Sequence, residues 1–154
     1  MLHQTLYIIT LFAYSLVLSQ HFFYWLAMTR ASKKLSAGAY IEIRQQIDAS
    51  LQLSLRVSYY GCLIVCSLLL LFSFSEATGT EAVLAGLAWL ALAADIVISM
   101  KGNVPINKVI NQWRPDAYPA NWQDYRQRWF RIYRIRQWSA AAGFIALLLM
   151  LIIG

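Results

Sequence analysis

The sequence predicts an all-α fold: an integral membrane four-helix bundle with cytoplasmic helical extensions. Three observations carry this prediction. First, 60% of the 154 residues are hydrophobic and 13% are charged, against roughly 45–50% and about 25% in soluble domains. A soluble globule of this length needs more polar surface, and a disordered chain would not carry so many apolar side chains. Second, the charges leave four gaps: 1–29, 57–75, 82–100 (interrupted only by Asp95) and 137–154. Each comes near the roughly 20 helical residues that cross about 30 Å of hydrocarbon. Third, runs such as Leu68 to Leu71 and Leu147 to Leu149 do not alternate, which excludes barrel strands.

The elements follow in order within a single domain, 1–154. The first span covers about 5–28. No basic segment precedes it and no small-residue cleavage site follows Met28, so it reads as a span and not as a removed signal. Tyr40, Ile43, Ile47 and Leu51 then recur at three- and four-residue steps, predicting an amphipathic helix over about 37–54 with Ser36 as its cap. This helix runs into the second span, about 55–75. A short acidic turn from Ser75 to Glu81, with Gly79, leads to the third span, about 82–101. Pro105, Pro115 and Pro119 punctuate the next connection. Asn121 can cap a basic, aromatic helix over about 122–136, with Asp124 in its first turn. That helix continues into the fourth span, about 134–153.

Orientation follows from the bases. Five of the 13 Lys and Arg residues lie between the first two spans and eight between the last two. The acidic connection has none. By the positive-inside rule both basic loops are cytoplasmic and both termini lie outside, in a membrane expected to be a bacterial inner membrane. The pI of about 9.6 then reflects loops beside anionic lipid. Membrane lipids are expected partners and nucleic acid is not. Cys62 and Cys66, one turn apart on one helix, suit neither a disulfide nor a metal site and read as buried free thiols.

The polar residues inside the spans carry the candidate chemistry. Asp95, Ser99, Asn103, Asn107 and Asn111 fall at four-residue steps, a slowly drifting stripe on one helix. Pro105 removes the bond to the carbonyl of Lys101. Either the helix kinks there, leaving a carbonyl beside Asn103 and Asn107, or Gly102 and Pro105 end it and the asparagines cap it. Asp95 lies about 9 Å inside the interface. There an ionised carboxylate costs about 2.5–3.5 kcal/mol unless it finds a partner, for which His21, Arg56 and Arg136 are candidates. Asp95 is either a proton-handling carboxylate or a polar lock between helices.

His21 shares a face with Tyr7, Tyr14, Trp25 and Met28 and is either a base or an interhelical hydrogen-bonder. The other histidine, His3, lies at the opposite end of the span, so a two-histidine haem site is excluded; no metal or cofactor is expected. On the fourth helix Trp122, Tyr125, Trp129, Tyr133 and Arg136 form one stripe at about 100° per residue. Arg126, Arg128, Arg131 and Arg134 point round the axis, so some must meet headgroups or carboxylates such as Asp48, Glu42 or Asp116. The aromatic stripe is either an interfacial belt or the wall of a pocket for a flat hydrophobic molecule.

Two stretches, Asn103-Val-Pro-Ile-Asn107 after the third span and Arg128-Trp129 followed by Arg136 leading into the fourth, resemble the anthrone oxygenase-like family. These are small four-helix membrane proteins, most without an assigned role. Tyr133 stands where that family often carries a histidine. The resemblance implies oxidation of an anthrone methylene to a quinone carbonyl without metal or flavin. A cofactor-free route needs a base, Asp95 or His21, to make a carbanion that reacts with oxygen. Asn103, Asn107, Tyr133 and Arg136 would stabilise the enolate, with Trp129 and Trp25 binding the compound. The competing function is a non-catalytic binder of lipid or a small apolar molecule, or an accessory subunit of a membrane complex. No nucleophile elbow, phosphate loop, zinc motif or dinucleotide fingerprint points to other chemistry.

Overall fold

The computed structural model describes residues 2–76 and 79–153. It is an all-α four-helix bundle. Four helices are long and apolar enough to cross a membrane: α1 (Leu2–Lys34), α2 (Ala37–Glu76), α3 (Gly79–Ile110) and α4 (Trp122–Ile153). At 40 residues α2 is about 60 Å long, so the amphipathic segment and the second span are one continuous rod. Ser36 Oγ accepts the Ala39 amide at 3.4 Å at its start. The centre of the acidic turn, 77–78, lies outside the described residues.

Each helix packs on its two neighbours in sequence, and α1 closes the ring against α4. α3 and α4 approach most closely, through Ala85, Ala88, Ala140 and Ala146, all buried. Gly143 lies in the same seam. Small side chains let helix backbones meet where apolar surroundings give no hydrophobic drive to do so. Large apolar residues face outward all round the bundle, including Phe12, Ile64, Phe74, Val83 and Trp138, a surface that water would not tolerate at this extent.

The interior is divided along its length. One core, far from the basic connections, gathers Tyr14, Val17, Cys62, Cys66, Leu69, Leu92 and Leu147. The thiols are free and buried. Hydroxyls and an indole cross between helices here: Tyr7 donates to the Leu147 carbonyl at 2.7 Å, Ser139 to that of Ala91 at 2.9 Å, and Trp89 Nε1 to Ser67 Oγ at 2.8 Å. A second core at the basic end gathers Tyr24, Tyr40, Ile41, Ile106, Ile110, Trp129 and Tyr133. Between them lies a polar layer containing His21 and Asp95.

Two helices carry a wide π turn at the level of that layer, Tyr24–Met28 in α1 and Ser99–Asn103 in α3. Each inserts about one extra residue, such turns being frequent at functional sites. In α3 the insertion has a geometric consequence. Sixteen residues from Asp95 to Asn111 would drift about 160° round a regular helix, and one inserted residue takes back about 100°. The polar stripe therefore stays turned toward the interior as far as Asn107, and the exposed Asn111 at the helix end still reaches Asp48. The helix passes through Gly102 and Pro105 to Ile110 and does not stop there. Pro105 falls in the first turn after the wide one, where its missing amide is tolerated. Gly102 is required by packing, since a Cβ there would lie 2.7 Å from Ile132 Cγ2 of α4.

Candidate functional site

The polar layer is a closed cluster built from all four helices. Asp95 of α3 is fully buried. Its Oδ1 accepts from Arg136 Nε of α4 at 2.5 Å. Its Oδ2 accepts from Tyr59 of α2 at 2.7 Å and faces His21 Nε2 of α1 at 3.0 Å. A ring nitrogen facing a carboxylate carries the proton, so His21 donates through Nε2. Its Nδ1 is buried and has no partner. Arg136 spreads its remaining donors over Tyr59 Oη at 3.0 Å and Asn103 Oδ1 at 3.3 Å. Of the three partners expected for Asp95, His21 and Arg136 make contact. Arg56 instead lines a neighbouring cavity.

Asn103 and Asn107 extend the network toward the basic end. Asn103 Nδ2 donates to the Trp129 carbonyl at 3.1 Å. Asn107 is a hub: its Oδ1 accepts from Arg44 Nη2 and from Trp129 Nε1, both at 2.8 Å, while its Nδ2 donates to Asp48 at 2.8 Å. Asn111 Nδ2 donates to the other oxygen of Asp48 at 2.7 Å. Trp129 and Tyr133 stack with centroids 4.7 Å apart and 13° between planes. Tyr24 leans on Tyr133 at 4.8 Å, and the Arg44 guanidinium covers Trp129 at 4.2 Å.

These groups wall a cavity of about 290 Å³ on the α2–α3 side of the bundle. Its polar wall is Tyr59, Asn103, Asn107 and Arg136, its flat wall Trp129 and Tyr133, and its apolar side Ile47, Leu51, Leu55 and Ile96. Asp95 and His21 stand one layer behind, screened by Tyr59 and Arg136. They fix the wall without touching the space. A mixed wall of aromatic rings with a few fixed polar groups can hold a small, flat, largely apolar compound and orient its oxygens. Among the described residues no three His, Cys, Asp or Glu side chains gather as metal ligands do.

Trp25 is the exception among the expected binding residues. It is 61% exposed and packs outward on Phe22 and Trp138. Tyr24, three residues after His21 and the first residue of the wide turn, takes the buried position instead. Trp25, about 100° further round, joins Phe22 and Trp138 on the outer surface. Two of the three carboxylates named for the basic helix, Asp48 and Asp116, are taken by others. Asp48 is held by two asparagines, and Asp116 pairs with Arg114 at 2.8 Å. Arg126 lies over Trp122 at 4.5 Å and donates to the Ser32 carbonyl at 3.2 Å.

Tyr59 and Arg44 also line the cavity, outside the set that the sequence marks. Tyr59 carried no distinguishing signal in an apolar run. Arg44 did carry one: it falls four residues after Tyr40 and three before Ile47, a cation on the apolar face of an amphipathic helix.

No family model, curated protein or solved structure matches the chain.

Removing the hub gives a first test of the site. Asn107→Leu leaves Trp129 Nε1 and Arg44 Nη2 without their acceptor, at about 1–3 kcal/mol for each buried donor. The expected result is a fall in the thermal midpoint of the purified protein and a shift in indole fluorescence from Trp129. A variant with native stability and an unshifted emission maximum would show that the hub is not formed.

Proposed function

We propose that this chain is an integral membrane protein that binds a hydrophobic aromatic compound at the cytoplasmic rim of the bilayer, in the cavity between α2 and α3. The observation that carries the reading is the stacked Trp129–Tyr133 wall set against the fixed donors Asn103 and Arg136. An aromatic body can lie along the rings while its oxygen meets the donors. Read by the positive-inside rule, the basic ends of the helices support a position for this cavity at the inner leaflet, where apolar compounds partition.

Oxygenase-like chemistry, implied by the resemblance to the anthrone oxygenase-like family, is a second reading. Supporting it is the chain Tyr59–Asp95–His21, which joins the cavity wall to a buried imidazole with an unpartnered Nδ1. Binding without turnover is favoured by another feature. Asp95 does not line the cavity, and Asp48, the carboxylate that does, is held in place by the amides of Asn107 and Asn111.

Titration of the purified protein in nanodiscs with anthrone and anthraquinone, followed by quenching of tryptophan emission, tests the binding. Saturable quenching is expected, weakened at least 10-fold by Trp129→Leu. Non-saturable quenching, unchanged in Trp129→Leu, would contradict it. Appearance of anthraquinone absorbance from anthrone under oxygen, faster than in empty nanodiscs and abolished by Tyr59→Phe, would select the oxygenase reading.

A further inference from the structure

Arg44 and Arg136 reach the same cavity in opposite electrostatic conditions. Arg136 is neutralised by Asp95. Arg44 is 5% exposed, and among the described residues no carboxylate lies within ion-pair distance of it. Its partners are neutral: Tyr24 Oη at 3.0 Å, Asn107 Oδ1 at 2.8 Å and the face of Trp129. Its Nε is buried and unpartnered. A guanidinium stays charged at any relevant pH, and a buried charge without a counter-charge is costly unless something supplies one. Stacking on the indole offsets only part of that cost.

The surroundings add to the imbalance. Four cations line the cavity (Arg44, Arg56, Lys108 and Arg136) against one carboxylate, Asp48. Asp95 behind the wall cancels a second charge. Asp48, one turn further along α2, meets Arg44 only through Asn107, which accepts from Arg44 and donates to Asp48, and no direct ion pair forms between them. Tyr133, on the same wall, has a buried hydroxyl with no partner, a second donor in want of an acceptor. These observations are independent of the stacked rings and converge on one kind of missing group.

We infer that Arg44 is an anion-binding residue and that the aromatic compound is held as an anion (a carboxylate, phenolate or enolate) with Arg44 as its counter-charge. The inference rests on the binding reading above and adds the charge state of the compound. Arg44 presents a planar fork that matches a two-oxygen anion. The ring system then lies between the Trp129–Tyr133 wall and the apolar side formed by Leu51, Leu55 and Ile96. A cavity of about 290 Å³ is at the small end of ligand sites, which run from about 300 Å³, and suits a compact aromatic acid better than a whole phospholipid.

The test uses two ligands of one shape, anthracene-9-carboxylate and 9-anthracenemethanol, titrated into the full-length protein in zwitterionic nanodiscs. The wild type is expected to bind the carboxylate at least 10-fold more tightly, and Arg44→Gln to bring the ratio below about 3 while still binding the alcohol. Arg131→Gln, exposed on α4, is expected to leave the ratio unchanged. Equal affinity of the wild type for both ligands would overturn the anion inference and leave the binding reading standing. If neither ligand binds, the binding reading fails and the inference falls with it. Should Arg44→Gln not fold, Arg56→Gln and Lys108→Gln decide: a retained preference supports the buried guanidinium, and its loss in either variant overturns it. Competition by phosphatidylglycerol at equal concentration would make the occupant a lipid headgroup and overturn the assignment to an aromatic acid.

Discussion

Asp95→Leu is expected to destabilise the folded bundle by about 3–5 kcal/mol, the usual consequence of leaving one member of a buried ion pair alone. Arg136 would lose the acceptor of its Nε, and Tyr59 and His21 would lose the oxygen that both share. The companion Asp95→Leu/Arg136→Met is expected to recover most of the loss, because apolar residues of similar volume can replace a buried pair at little or no cost. Unfolding in mixed micelles, followed by circular dichroism, measures both. A double variant as unstable as the sum of the singles would show that the pair does not interact. The recovered double variant also separates structure from function. It should fold yet bind the aromatic ligand weakly, since Arg136 no longer meets the ligand and Tyr59 is no longer held.

Gly143→Ala is the second large effect, located in the other half of the bundle. A Cβ at this position would meet the Tyr14 hydroxyl, lie 2.8 Å from Tyr14 Cζ and 2.9 Å from Ala91 Cβ. Tyr14 is fully buried, so it cannot swing aside. Overpacking of this kind costs about 1–3 kcal/mol. Tyr14→Phe gives up only a long 3.4 Å bond to the Ala88 carbonyl, and Gly143→Ala/Tyr14→Phe is expected to be more stable than Gly143→Ala alone. Gly61 supplies the opposite sign. Nothing lies within 4 Å of a Cβ there, so Gly61→Ala should stabilise α2 by up to about 1 kcal/mol. If Gly143→Ala and Gly61→Ala behave alike, the close seam between α3, α4 and Tyr14 is absent.

The helices were legible because charge is expensive in hydrocarbon: the gaps between charges mark the spans, and the sole interruption, Asp95, marks the polar layer. The four-residue spacing from Asp95 to Asn111 likewise announced one face. The sequence did not reveal how that face stays inward over so many turns. A π turn leaves no composition signal, and Gly102 with Pro105 reads equally well as a stop. The same blindness explains Trp25 and Tyr24, neighbours whose roles depend on where α1 widens. Arg44 was legible in principle, as a cation among Tyr40, Ile47 and Leu51. Its significance depends on what its partners are not, and only the three-dimensional arrangement shows that Asp48 meets it through Asn107 and not directly. Tyr59 became visible only once α2 was set against Asp95.

Everything about the cavity depends on α3 and α4 presenting Asp95 and Arg136 to one another at the depth of His21 and Tyr59. Dipolar recoupling by solid-state NMR in lipid bilayers, between the ¹⁵N-labelled Arg136 side chain and the ¹³C-labelled Asp95 carboxyl, measures this directly. The expected result is strong dephasing from a hydrogen-bonded pair, with Nε to Oδ1 at 2.5 Å, that vanishes in Asp95→Leu. A carboxyl signal with no coupling to any arginine nitrogen would contradict the arrangement.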